Sequence, residues 1–173
     1  MESKEFRKKV LPLGQKLYRF ASVLLKDTHE AEDIVQDIYV KLWKMRDRME
    51  DIENLDAFTF RMTRNLCFDR LKARRIKFYD DSSDRGIPEP EAAGPNPEDQ
   101  TELRDTIDKV HTFINTLPEQ QKAIIHLRDI DGYSYEEISE IMEMEINAVR
   151  VALSRARRSV RESLSKLHQP WRM

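Results

Sequence analysis

The sequence predicts an all-α protein of two small helical domains joined by a flexible, acidic, proline-rich linker, and three observations carry that expectation. Charged residues make up 36% of the chain, only 4 of its 173 residues are glycine, and long stretches are built from Leu, Ile, Glu, Lys, Arg and Met, all good helix formers. Apolar residues recur at steps of three and four, the period of an amphipathic helix. Between Ser82 and Asp99 that pattern stops. Pro88, Pro90, Pro95 and Pro97 stand there with Gly86 and Gly94, among acidic residues too polar to bury a core. The expected boundaries are a first domain over residues 1–79, a linker over 80–99 and a second domain over 100–173.

Before the linker the periodicity predicts three helices, Glu5 to Leu25, Thr28 to Met45 and Leu55 to Phe78. In the second, Ala31, Ile34, Val35, Ile38, Leu42 and Met45 form the apolar stripe, and Asp27 or Thr28 is placed to cap its first turn. The stretch Arg46 to Asn54 is polar and reads as a loop. After the linker, four helices are expected: Glu98 to Asn115, Pro118 to Arg128, Tyr135 to Met142 and Ile146 to Leu167. Pro118 suits a first helical turn, Ser134 with Glu137 spells a capping box, and Gly132 supplies the turn before it. A short capped helix, a tight turn and a longer basic helix make a helix-turn-helix pattern. Neither Met144 nor Glu145, at the start of that last helix, is a good capping residue.

Charge is distributed unevenly. The formal net charge is −2, yet Arg61 to Lys77 holds seven Lys or Arg against Asp69 alone, and Arg150 to Lys166 holds six against Glu162 alone. These segments carry +6 and +5, the footprint expected of polyanion contact, while Ile76 to Asp105 carries −6 and could mimic a polyanion. The lone Cys67 excludes an internal disulfide framework and cannot by itself build a zinc site; it reads as a helix-packing residue in a reducing, cytoplasmic setting. Residues Met1 to Val10 lack the apolar run of a secretory signal, and no segment has the length of a membrane span.

Three groups of side chains stand out. On the last helix, Val149, Leu153, Ala156, Val160, Leu164 and Leu167 fall on one stripe, which leaves Asn147, Arg150, Val151, Ser154, Arg155, Arg158 and Arg161 on the opposite side. Hydrogen-bonding groups near the helix start, with guanidinium groups further along, suit entry into a major groove with phosphate contacts behind. The segment FTFRMTRNLCFDRLKARR, Phe58 to Arg75, interleaves aromatic and basic residues, as single-stranded DNA binding requires, although Phe60, Met62, Leu66 and Leu71 could equally be core. Within it Asn65 and Asp69 share a face. On the second helix Glu32, Asp33, Gln36, Asp37 and Lys41 form a polar strip that could bind a partner helix or simply face solvent, with Trp43 just beyond it.

Taken together, the stretches EAEDIVQDIYVKLW, AFTFRMTRNLCFDRLKARR and LPEQQKAIIHLRDIDGYSYEEISEIM followed by INAVRVALSRARRSVRESL resemble the sigma-70 family of RNA polymerase sigma factors, in its extracytoplasmic-function (ECF) subgroup. The resemblance implies a three-helix region-2 domain, a four-helix region-4 domain, and a role in binding core RNA polymerase and directing promoter recognition, melting and initiation. It implies that Asp33, Gln36 and Asp37, flanked by Glu32 and Lys41, meet the clamp helices of the largest polymerase subunit, and that region 4 meets the flap. It assigns Arg61, Arg64, Asn65, Asp69, Arg70 and Arg74 to the minus-10 element, with a flipped base received by the loop Arg46 to Asn54, and the exposed face of the last helix to the minus-35 element. It also implies promoter DNA, both duplex and single-stranded, and an anti-sigma factor as partners. Ala148, Val151 and Ala152 depart from the common pattern of Thr, Ser and Arg, so base contacts do not transfer at those sites.

A conventional regulator with the same carboxy-terminal helix-turn-helix is the rival reading, but its sensor domain would need strands or a pocket where three helices are expected. Enzymatic function finds little support. His29, His111, His126 and His168 lack metal-ligand spacing, no glycine-rich phosphate loop appears, and no Ser or Cys stands in a nucleophile motif, so no catalytic residue, metal or cofactor is expected.

Overall fold

A computed structural model describes residues 3–81 and 102–167. Residues 82–99 of the predicted linker, residues 100 and 101 at the start of the second domain, and His168 lie outside them, whereas the first two residues of the expected linker, Asp80 and Asp81, continue the helix before it. Among the described residues every regular element is helical, as the sequence predicts.

The first expected helix is in fact two. Helix α1 (Ser3–Val10) passes through a 3₁₀ turn at Leu11–Leu13 into α2 (Gly14–Leu25). Pro12 explains the break, because it has no N–H to donate and its ring crowds the preceding turn. Gly14 fixes the packing beside it. A Cβ there would stand 1.8 Å from the Tyr39 hydroxyl oxygen, and that hydroxyl donates to the Leu11 carbonyl at 3.2 Å. Helix α2 ends on Lys26, in the left-handed region at φ 54°, and Asp27 caps α3 (Thr28–Lys44) by accepting from the Glu30 N–H at 2.9 Å. That bond to the charged form holds the Asp27 carboxyl below its usual range. The stretch expected as a loop contains a 3₁₀ helix, Arg46–Asp51, with Met49 buried. Asn54 then accepts from the Ala57 N–H at 3.0 Å, a cap for the long helix α4 (Leu55–Asp81).

In the carboxy-terminal part, α5 (Glu102–Thr116) and α6 (Glu119–Ile125) are followed by a π-helical turn over His126–Ile130, where the sequence predicts plain α-helix to Arg128. The turn widens the end of α6 so that the Asp131 N–H bonds back to the His126 carbonyl at 3.0 Å. Gly132, at φ +77°, reverses the chain into α7 (Tyr135–Met142). The predicted capping box forms: the Ser134 hydroxyl accepts from the Glu137 N–H at 3.1 Å and the Glu137 carboxylate accepts from the Ser134 N–H at 2.8 Å. Helix α8 (Ile146–Leu167) closes the fold.

Helices α2, α3 and α4 enclose Leu17, Phe20, Ala21, Leu24, Ile34, Ile38, Leu42 and Phe60, all essentially buried. Helices α5 to α8 enclose Ile124, Leu127, Ile138, Ile141, Val149, Leu153 and Ala156. These two sets are not separate cores. Helix α7 lies along α4 and α6 touches α2, and the joint is aromatic. Tyr133 meets Phe60 edge-on at 5.1 Å, Phe60 meets Phe20 at 5.3 Å, and Phe20 meets the His126 ring at 5.7 Å.

Candidate functional site

The polar strip on α3 is exposed along its whole length: Glu32, Asp33, Gln36, Asp37 and Lys41 all face outward, while Ala31, Ile34, Val35, Ile38 and Leu42 are buried beneath. The strip continues into exposed apolar surface at Val40 and Trp43. Trp43 is held by the edge of Phe6 at 5.1 Å and carries the Arg46 guanidinium 4.8 Å above its ring. Trp43 is thus braced from two sides yet remains on the surface.

Helix α4 divides its basic residues between two neighbours. Arg70 reaches Asp33 at 3.9 Å and Asp37 at 3.6 Å, so a residue expected at the minus-10 element is linked to the α3 strip. Arg74 donates to the Leu25 carbonyl at 3.0 Å and pairs with Glu30 at 2.5 Å, tying α4 to the α2–α3 corner. Asn65 and Asp69 are exposed, as their shared face predicts. Arg64 is not. It is only 6% exposed, bonded to the Asn65 side-chain oxygen and paired across the joint with Glu143 of the α7–α8 turn. Arg61 is half-buried, its guanidinium 5.7 Å from the Phe58 ring. Spacing on α4 alone leaves open whether Phe60 is core or surface; it is fully buried, as is Cys67. Burial pushes the Cys67 thiol up to about 12.

Helix α8 buries Val149, Leu153, Ala156 and Val160, as its stripe predicts, and exposes Asn147, Arg150, Val151, Ser154, Arg155, Arg158 and Arg161. An open groove of about 520 Å³ runs along this face, lined by Tyr135, Arg150, Ser154, Arg157, Arg158 and Arg161. Two of its members escape the sequence reading. Tyr135 lies between two guanidinium groups, Arg128 at 4.7 Å and Arg150 at 5.1 Å from its ring, and Arg157 is held by Asp129, with the Nε–H donating at 2.9 Å. Arg157 sits seven residues after Arg150 and four before Arg161, a spacing that marks the same face in advance; Tyr135 comes from another helix, and nothing in its local sequence signals it. A second, more apolar groove adjoins the first, lined by Val110, Ile114, Ile125, Ile130, Val160 and Leu164 and sharing Arg157 and Arg161 with it.

Residues 10–76 match the family model for sigma-70 region 2, and residues 107–160 match that for sigma-70 region 4. The chain belongs to the sigma-70 family. Its relatives lie in the ECF branch. This sigma factor is 27% identical over 158 residues to the ECF RNA polymerase sigma factor SigW of Bacillus subtilis, covering 88% of this chain and 84% of that protein. It is 29% identical over 161 residues to the ECF RNA polymerase sigma factor SigE of Mycolicibacterium smegmatis, of whose length it spans 59%. Among solved structures, it is similar to the sigma factor RpoE crystallised with the anti-sigma factor NepR from Bartonella quintana, with a TM-score of 0.77, 29% identity and coverage of 96% of this chain and 99% of that one. In this sigma factor the region-2 match takes in the α3 strip and the basic part of α4 as far as Ile76, and the region-4 match takes in the helix-turn-helix. No described helix is long and apolar enough to cross a membrane, and no described group of His, Cys, Asp and Glu could hold a metal ion.

Proposed function

We propose that this sigma factor joins core RNA polymerase through the exposed strip on α3, holds duplex DNA upstream with α8, and traps separated strands on α4. The observation that carries this reading is one chain bearing three distinct faces: an acidic, glutamine-containing strip, a basic helix with an Asn–Asp pair, and a capped helix-turn-helix whose outer face is guanidinium-rich. Asp33, Gln36 and Asp37, with Glu32 and Lys41 beside them, would meet the clamp helices. Arg61, Arg64, Asn65, Asp69, Arg70 and Arg74 would contact the minus-10 element, and the exposed α8 residues Asn147 to Arg161 the minus-35 element, with arginines on phosphates and the helix start over base edges. Binding energy, rather than nucleotide hydrolysis, drives strand separation in this scheme, and the polymerase carries the chemistry. Its place of action is then the cytoplasm. An anti-sigma protein belongs among the proposed partners, supported by the similar sigma factor solved in such a complex.

Run-off transcription from a promoter library with core polymerase tests the scheme. Specific transcripts from the intact protein, lost in an Asp33→Ala, Gln36→Ala, Asp37→Ala triple variant of unchanged thermal stability, are expected. Duplex binding without transcripts on a matched core enzyme would instead make the protein a conventional regulator.

A further inference from the structure

Of the large apolar side chains that stay exposed among the described residues, α8 carries Val151 alone, and it is 48% exposed. At about 100° per residue it lies nearly opposite Val149 and Leu153, which flank it two positions away on either side and are both buried. Val151 therefore stands on the crest of the outer face, away from the stripe that packs on the domain.

The neighbours along that crest are polar. Asn147 precedes Val151 by one turn, and Ser154 and Arg155 follow it by one turn, all of them exposed. The side chains of Asn147 and Ser154 make no hydrogen bond among the described residues, so their donors and acceptors are free for a ligand. On the flank towards α7, Arg150 is drawn to the Tyr135 ring at 5.1 Å and Arg157 is held by Asp129, its Nε–H donating at 2.9 Å. The guanidinium-lined groove thus runs beside Val151 and leaves its isopropyl group uncovered.

Packing and helix propensity give no reason for a valine at this place. Its branched side chain loses rotamer freedom in a helix that alanine or arginine would keep. Single exposed apolar side chains are common on protein surfaces. This one differs by its position, at the centre of a face whose other members can hydrogen-bond base edges or neutralise phosphates. In a major groove, an isopropyl group laid over adenine, guanine or cytosine would desolvate a donor or acceptor without replacing its hydrogen bond. Thymine is the base whose edge carries a methyl group.

We propose that Val151 is a specificity-determining residue of the upstream DNA contact, its isopropyl group packing on the C5-methyl of a thymine while Asn147 and Ser154 hydrogen-bond to the flanking base edges. The proposal rests on the reading of α8 as the duplex-binding helix. It names what that helix selects: an element with a thymine beneath the middle of its crest, chosen for a methyl group.

The test uses the holoenzyme formed with core polymerase. Duplexes bound from a randomised promoter library give the preferred upstream element. Each thymine in it is then replaced in turn by deoxyuridine, which lacks only the methyl group, and affinity is read by competition against the labelled parent duplex. At one position the loss of the methyl should weaken binding about three- to fourfold, the worth of one buried methyl group. Holoenzyme carrying Val151→Ser should bind that pair of duplexes equally; the substitution is at an exposed site and leaves the core untouched. An element without thymine, thymines all indifferent to methyl loss, or undiminished sensitivity in the Val151→Ser holoenzyme overturns the proposal and leaves α8 as the duplex-binding helix. An Arg155→Ala, Arg158→Ala holoenzyme that selects the same duplexes with parental affinity would instead take α8 off the DNA, and the thymine contact with it.

Discussion

Replacing Arg155 and Arg158 by alanine should change the salt dependence of duplex binding by an amount the structure fixes. Both lie on the exposed face of α8, clear of its buried stripe. Arg158 is engaged, its Nε–H donating to Glu162 at 2.8 Å, but that pair is 79% and 57% exposed, and surface pairs of this kind contribute at most about 1 kcal/mol, too little to hold the guanidinium from a phosphate. Each phosphate contact adds about 0.9 to the slope of log affinity against log salt, so two lost contacts should flatten it by about 1.8. Between about 50 and 200 mM salt, the intact protein should then lose about twelvefold more affinity than the variant. Anisotropy titrations of a labelled duplex at several salt concentrations give the slope directly. A fall of about 0.9 would mean that one of the two arginines reaches DNA. An unchanged slope would refute the placement of α8 against the DNA backbone.

Other outcomes follow from the core. Phe60→Ala removes a ring packed between Phe20 and Tyr133 and should cost about 3–5 kcal/mol in denaturant unfolding, more than an exposed α4 substitution such as Asn65→Ala. Lys122 is 3% exposed and burial lowers its pKa to about 8 from 10.5, with Lys26 adding repulsion. The unfolded chain therefore binds more protons than the folded one between those values, so this lysine raises stability as pH climbs through that window. Lys122→Met should be more stable than the parent at neutral pH, and the difference in unfolding free energy should shrink as pH rises from 8 to 10.5; a pH-independent difference would remove the assignment. Cys67, with its thiol raised to about 12, should resist an aromatic disulfide reagent in the native protein and react on unfolding.

What was legible in the sequence followed from local chemistry. The Ser134–Glu137 box, the Asp27 cap and the α8 stripe each depend on residues within a turn or two of one another, and each forms as its spacing predicts. The break at Pro12 was written in the sequence too, since proline after an eight-residue apolar-polar run ends a helix, yet the surrounding periodicity outweighed it. The π turn at His126–Ile130 carries no such mark; its first residue, His126, packs against Phe20, about a hundred residues away. The same distance hid the fate of Arg64. The family resemblance assigns it to the minus-10 element, and nothing near it in sequence marks it as only 6% exposed and paired with Glu143. Periodicity could not decide whether Phe60 was core or platform, because the answer lies with Tyr133 in the other region.

The run of rings from Tyr133 through Phe60 and Phe20 to His126 makes hydrogen exchange in the two regions interdependent. Amides of α4 near Phe60 can exchange by a local route only after α7 has lifted away, so the protection of α4 and α7 should rise and fall together. The unit of cooperative opening is therefore drawn across the boundary between the two regions, not along it.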